Sequence, residues 1–332
     1  MKNFIERLRA ALDAGEDIVL ATVTGQSGST PRMAGARMAV HRDGHIIGTI
    51  GGGSIEALAI AEAERCFTSA TFLRRSFDLA DGAATDIDMI CGGKVDLCLQ
   101  LVTADASTRA IFRDLSRILA DGGGATLACP LDGGEILLYG DRDQETPAPF
   151  LLPAKSGAVF AAYEGREYLV APFAAGGRLV LVGAGHVAAR VAETAGLVGF
   201  VVTVMDDRAV FANRGRFPTA EEVIVLPSFA DCFTERRIGP DSFIVIVTRG
   251  HAFDMTALEQ ALNTDAGYIG MIGSRVKRRI LYAKLLERGA SAARLEQVHC
   301  PVGLEIAADT PEEIAVSIVA QLIRERAARR RQ

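Results

Sequence analysis

Leu179-Val180-Leu181-Val182-Gly183-Ala184-Gly185-His186-Val187-Ala188 is the stretch that decides the fold. An apolar run of buried-strand type leads straight into a GxGxxA turn, and helical spacing follows. The pattern therefore stands in the strand-turn-helix setting that gives it meaning. Gly183 permits the tight turn, Gly185 lets the backbone approach a phosphate, and Ala188 keeps the helix close to the sheet. Outward from this turn, strands and helices alternate. Strands are expected at Phe200 to Met205, Glu222 to Leu226, Ser242 to Val247 and Tyr268 to Ile272. Helices are expected at His186 to Ala195, Asp254 to Leu262, Val276 to Arg288 and Pro311 to Arg326, the last opened by the capping box Thr310-Pro311-Glu312-Glu313. Such alternation predicts a Rossmann-type, doubly wound parallel sheet.

Loops at the C-terminal ends of these strands are where such sheets bind ligands. Asp206 ends the second strand, where a carboxylate can accept from a ribose 2′-OH and disfavours a 2′-phosphate. Arg208 follows it. Thr248-Arg249-Gly250-His251 closes another strand, and Gly273-Ser274-Arg275 opens a helix with exposed amides and a cation. The nucleotide-binding candidates are therefore Gly183, Gly185, His186, Val187, Asp206, Arg208, Thr248, His251, Gly273, Ser274 and Arg275, with NAD(P) or another nucleotide as ligand. A Rossmann turn that binds nothing is the plain alternative.

N-terminal to Ala174-Ala175-Gly176-Gly177 the rhythm changes, and this small-residue stretch marks the expected boundary between domains 1–174 and 175–332. The first domain reads as α+β. A helix is expected over Asn3 to Ala14, a β-prone run over Ile18 to Thr24, and a hairpin over Ala36 to Arg42 and His45 to Ile50 around Asp43-Gly44. Next come a helix from Ser54, taken as its N-cap, to Phe67, a strand over Lys94 to Val102 and a helix over Ser107 to Ala120. Short strands and turns follow to about Pro172.

Three glycine-bearing loops punctuate this domain: Gly28-Ser29-Thr30-Pro31-Arg32, Gly51-Gly52-Gly53-Ser54-Ile55-Glu56 and Cys91-Gly92-Gly93-Lys94. Consecutive glycines before a helix leave backbone amides free for an anion, and Ser29, Thr30 and Arg32 add hydroxyls and a guanidinium. The same glycines also serve simply to allow positive φ in crowded turns. Glu56 suits the macrodipole of the helix start. Cys91, before two glycines and a lysine, is in a setting that favours a thiolate, a soft ligand for transition metals; taken alone, a cysteine there is more often a buried, inert thiol.

Composition narrows the function classes. The 332 residues suit two domains, and counting Gly instead of Tyr raises the apolar share from 49% to roughly 58%, which excludes global disorder. The formal charge of −5 and a pI near 5.7 offer no basic field for nucleic acid or anionic lipid. Apolar runs such as Leu179 to Ala189 fall short of the ~20 residues of a membrane helix, and Met1 to Arg7 lacks the apolar core of a secretion signal, so a cytoplasmic protein is expected. The six cysteines contain no CxxC pair and outline neither a disulfide framework nor a zinc site.

Taken together, the loops resemble the XdhC/CoxI family of maturation factors for molybdenum hydroxylases such as xanthine dehydrogenase and carbon monoxide dehydrogenase. The resemblance rests on the three N-terminal loops, the Gly183 turn, Asp206-Asp207-Arg208, Thr248 to His251, Tyr268 to Arg275, and Pro301-Val302-Gly303-Leu304 through Thr310 to Ala315. It implies an N-terminal XdhC/CoxI domain followed by a Rossmann domain, as a homodimer. It also implies a non-catalytic chaperone that binds molybdenum cofactor (molybdopterin), holds it while a cysteine desulfurase or sulfurtransferase installs the sulfido ligand, and delivers it to an apo-molybdenum hydroxylase. The implied cofactor site comprises Gly28, Ser29, Thr30, Arg32, Gly51, Gly52, Gly53, Glu56, Cys91, Gly92 and Gly93, with Cys91 as the molybdenum ligand. Two departures stand out: some members carry Cys where this chain has Gly53 or Ser54, and some carry a paired Cys where it has Ile90-Cys91. The residues outline no nucleophile-base-orienter triad, which suits a carrier. The competing reading is a nucleotide-dependent oxidoreductase using His251 and Asp254 near the Rossmann turn.

Overall fold

The computed structural model describes residues 2–28, 34–68, 72–78, 93–141, 143–152, 157–234, 236 and 238–329. The chain divides into two compact units, Met1–Ala174 and Ala175–Gln332.

The first unit contains α1 (Lys2–Asp13), β1 (Ile18–Gly28), β2 (Arg37–His41), β3 (Ile46–Gly48), α2 (Gly53–Thr68), β4 (Phe72–Asp78) and β5 (Gly93–Val102). After these come α3 (Ala106–Ala120), β6 (Gly124–Pro130), β7 (Leu137–Gly140), β8 (Val159–Tyr163) and β9 (Arg166–Ala174). The first five strands form one antiparallel sheet in the order β3-β2-β1-β5-β4, and the other four form a second in the order β7-β6-β9-β8. Strand alternation divides the first sheet's residues between its two faces. Val19, Ala21 and Val23 of β1 pack with Ile55, Ala59 and Ala63 of α2. Thr22 and its cross-strand neighbour Arg37 project from the opposite face.

Arg37 ties the two sheets together. Its guanidinium is buried, donates to the Pro172 carbonyl at 3.0 Å and lies 4.0 Å from the centre of the Phe173 ring. Burial pushes it down to about 10. α2 starts one residue earlier than the sequence suggests, so Ser54 is inside the helix and is not its N-cap; the loop amides before it go to Glu56 instead. β4 carries Arg74 and Arg75 in a half-exposed strand that sequence periodicity did not single out.

The second unit contains β10 (Arg178–Val182), α4 (His186–Leu197), β11 (Val201–Asp206), β12 (Glu222–Val225), β13 (Ser242–Ile246), α5 (His251–Leu262), β14 (Tyr268–Met271), α6 (Arg275–Glu287), α7 (Ala292–Glu296) and α8 (Pro311–Arg329). Its five strands are all parallel, in the order β12-β11-β10-β13-β14. Ala188 and Val191 of α4 pack with Ile318 and Leu322 of α8, while Ala257 and Leu258 of α5 pack with Leu281 and Leu285 of α6 on a second core. Each fully buried Leu contributes about 2 kcal/mol. The order reverses between β10 and β13, which opens a crevice at the C-terminal end of β10. α8 begins with the capping box read from sequence: Glu313 accepts from the Thr310 amide, and its own amide donates to the Thr310 hydroxyl.

Candidate functional site

In the first unit, strand register sets the described ends of the three glycine-bearing loops at one end of the sheet. β1 and β5 are antiparallel, and Gly28 pairs with Gly93, so the first loop leaves and the third loop enters at a single rung. The first loop returns at Arg37, opposite Thr22. β3 ends at Gly48, opposite Met38, and so sends the second loop off the same end of the sheet. Ser29, Thr30, Arg32, Cys91 and Gly92 lie outside the described residues.

The second loop is anchored by a residue of its own helix. Gly51, Gly52 and Gly53 all have positive φ (142°, 79° and 60°), which turns the backbone back over the first turn of α2. There one Glu56 oxygen accepts from the Ile50 amide at 3.1 Å, the Gly52 amide at 2.9 Å and the Thr49 hydroxyl. Burial pushes the Glu56 carboxyl up, but the bonds from Thr49, Gly52, Ile50 and Gly51 outweigh it and hold the group below its usual value. The loop's amides thus already hold an anionic group, the protein's own half-buried carboxylate. Three rungs below the Gly28–Gly93 pair lies a cavity of about 450 Å³ whose lining includes Thr24, Arg74, Ser76, Asp96 and Phe160.

At the Rossmann edge, Gly183 adopts φ +115°, and a Cβ there would stand 2.4 Å from the Val247 carbonyl oxygen. This close approach packs the turn against the end of β13. Gly185, by contrast, has open space where a Cβ would be and caps α4. Asp206, expected from sequence to face a ribose, is fully buried. Its Oδ2 accepts from the Ala184 amide at 2.8 Å and from an Arg208 terminal nitrogen at 3.0 Å; its Oδ1 accepts from Arg208 Nε at 2.8 Å and the Arg208 amide at 3.1 Å. Reaching a ribose would oblige it to give up Arg208.

Asp207 pairs with Arg249 through both carboxylate oxygens, and this pairing holds its carboxyl below the usual range. Arg208 and Arg249 rest on the Phe211 and Phe253 rings, at 3.9 and 4.0 Å. Thr248 donates to buried Asp254 at 2.7 Å. Asp254 in turn holds the Lys277 ammonium, which also donates to the Ile272 carbonyl at 2.9 Å. Sequence reading missed Lys277, whose partner is 23 residues away. Ser274 caps α6 by accepting from the Lys277 amide, while His186, His251 and Arg275 are exposed. The His299–Val302 segment runs beside β14, with His299 bridged to Gly270 and the Val302 amide donating to Met271, so the Pro301 to Leu304 motif begins beside that strand.

The five described cysteines are all buried. Burial pushes the Cys66 and Cys98 thiols up to about 11, those of Cys129 and Cys232 to about 12, and that of Cys300 up as well, so none is an available thiolate. Among the described residues, no three His, Cys, Asp or Glu side chains gather as a metal site. No helix among them is long and apolar enough to cross a membrane.

Residues 11–78 match the XdhC and CoxI family, and residues 179–322 match the XdhC Rossmann domain. The chain belongs to the XdhC and CoxI family. It is 26% identical over 304 residues to the uncharacterized protein YqeB of Escherichia coli K12, covering 92% of this chain but only 42% of YqeB. With a probable xanthine dehydrogenase subunit from Bacillus subtilis it shares 26% identity over 98% of both chains. With the molybdenum cofactor insertion chaperone PaoD of Escherichia coli K12 it shares 24% identity over 94% of this chain and 84% of PaoD. A solved Bacillus halodurans structure described as a xanthine dehydrogenase superposes with a TM-score of 0.78 at 27% identity, over 98% of this chain and 96% of the other.

Proposed function

We propose that the protein is a cytoplasmic molybdenum-cofactor carrier. In this reading its first unit holds the cofactor while a sulfurtransferase installs the sulfido ligand, and the loaded carrier, acting as a homodimer, hands it to an apo-molybdenum hydroxylase of the xanthine dehydrogenase type. The observation that carries the reading is that the described ends of the three glycine-bearing loops, Gly28, Gly48 and Gly93, lie at one end of the first sheet, with Gly28 and Gly93 on a shared rung. Similarity over most of its length to a named molybdenum cofactor insertion chaperone supports it.

The cargo's chemistry fits the donor set. Molybdenum cofactor is a pterin phosphate whose dithiolene carries an oxometal centre. A receptor therefore needs backbone amides and cations for the phosphate and a soft donor for the metal. The Gly51–Gly53 loop already binds a carboxylate oxygen through its amides. Ser29, Thr30 and Arg32 supply further donors to the phosphate, and Cys91 is assigned to the metal.

Expression in a cofactor-producing host, followed by metal analysis and fluorescence detection of the oxidised pterin, tests the proposal. Molybdenum and pterin are expected together on the purified chain, with Cys91→Ala lowering molybdenum retention and leaving the fold intact. A protein that carries neither and takes up neither in vitro overturns the carrier. For the second unit we propose that a nucleotide lies over the Gly183–Gly185 turn, supported by the open space at Gly185. An oxidoreductase using that turn draws less support, because the expected ribose-reading carboxylate, Asp206, is spent inside the protein.

A further inference from the structure

The cavity beneath the Gly28–Gly93 rung has a built wall. Ser76 pairs with Asp96 across β4 and β5, and Gly25 pairs with Asp96 across β1 and β5. The Ser76 hydroxyl donates to Asp96 Oδ1. Asp96 Oδ2 lies over Gly25, only 2.6 Å from where a Cβ would stand, so a residue without a side chain is what leaves room for this carboxylate. Thr24 donates to the Asp96 carbonyl at 3.3 Å and fixes the strand behind it. Among the described residues no cation pairs with Asp96. Two residues along β4, the Arg74 guanidinium lies 3.5 Å from the centre of the Phe160 ring, and Phe72 meets that ring edge-on at 6.3 Å. One cavity thus offers a held carboxylate, with no described cation paired to it, beside a cation-aromatic stack.

This pairing matches one chemical class. A carboxylate presents two acceptor oxygens to two adjacent N–H donors, and a guanidinium on an aromatic ring presents a surface to a flat heterocycle. We propose that this cavity reads the 2-amino-4-oxopyrimidine edge of a pterin, with Asp96 accepting from the ring N–H and the exocyclic amine while the heterocycle stacks on the Arg74–Phe160 pair. The inference rests on the carrier reading and specifies which end of the cargo this cavity holds. Three residues at ~3.3 Å separate Asp96 from Gly93, so the glycine loops start about 10 Å away, on the side left for the cargo's phosphate and metal. Guanine presents the same edge, so the test must separate the two.

Fluorescence titration of the full-length protein with pterin, with lumazine, which has a carbonyl in place of the 2-amine, and with guanosine provides that test. Pterin is expected to bind at least about tenfold tighter than lumazine, because lumazine turns an acceptor toward the carboxylate. In Asp96→Asn this ratio falls to near one with an unchanged melting temperature. Phe160→Ala weakens both pteridines alike. Equal binding of the two pteridines by the parent protein, an undiminished ratio in Asp96→Asn, or guanosine binding more tightly than pterin overturns the assignment. Molybdenum content is scored separately. A chain that retains molybdenum and pterin but does not discriminate between the pteridines refutes this cavity alone, whereas one that discriminates but never acquires molybdenum refutes the carrier alone.

Discussion

In the first unit Glu56 reaches onto the Gly51–Gly52 turn from a half-buried position, whereas in the second Asp206 reaches the amide of Ala184 from full burial. Both glycine turns thus hold a carboxylate of the chain itself. They differ in what surrounds it. Glu56 is joined by amides and one hydroxyl, all at the sheet's open end, so an incoming anion can compete for the same donors. Asp206 also carries Arg208, with Arg249 and Asp207 beside it, so displacing it would break the ion pairs of two half-buried arginines. A donor already engaged by the chain's own carboxylate is open to a ligand only to the extent that it is cheaply released, so at the second turn the room for a ligand is at Gly185 rather than at the Ala184 amide.

The contrast can be broken most decisively at Asp206. Asp206→Asn removes the carboxylate that takes four hydrogen bonds and leaves Arg208 only its 3.8 Å contact with Asp207, and a loss of about 3 kcal/mol in urea unfolding is expected. A loss below 1 kcal/mol would make the Rossmann-edge network as expendable as the first unit's cradle. Glycine replacement sharpens the difference next. Gly183→Ala meets the Val247 carbonyl and should cost about 3 kcal/mol, while Gly52→Ala, with nothing within 4 Å of its Cβ, pays only the positive-φ penalty of about 1–2 kcal/mol. Equal thermal shifts in the two variants would dissolve the distinction. The smallest effect belongs to Glu56→Gln, on the order of 1 kcal/mol after solvent screening. Because the folded Glu56 carboxyl is depressed, its contribution is complete above its ordinary value of 4.5 and fades as pH falls through the folded value. Parent and variant melting temperatures should therefore differ at neutral pH and converge in acid; a gap that widens in acid contradicts the assigned bonds.

Much of this arrangement was legible in the sequence itself. The Rossmann strands are apolar runs with Gly or Asp at their ends, and the capping box at Thr310 is local chemistry, so both could be read directly. The second sheet of the first unit was visible only as short strands and turns, because strand pairing such as that of β6 with β9 links residues far apart in sequence. β4 escaped because Arg74 and Arg75 interrupt its apolar pattern, yet the same Arg74 builds the cavity wall. α7 spans five residues, too few for helical periodicity to register. Asp206 does end β11, as its place in the sequence suggests, but no spacing rule could reveal that Arg208 would occupy its oxygens.

Arg37 carries a consequence for how the protein is made. The bond that locks the strand following the first glycine loop reaches the Pro172 carbonyl, 135 residues further along the chain. During synthesis that acceptor does not yet exist when β1, β2 and the loop between them have left the ribosome. The first loop therefore acquires its locked exit strand only once nearly all of the first unit has been translated, so a nascent chain cannot present a finished receptor before its second sheet is complete.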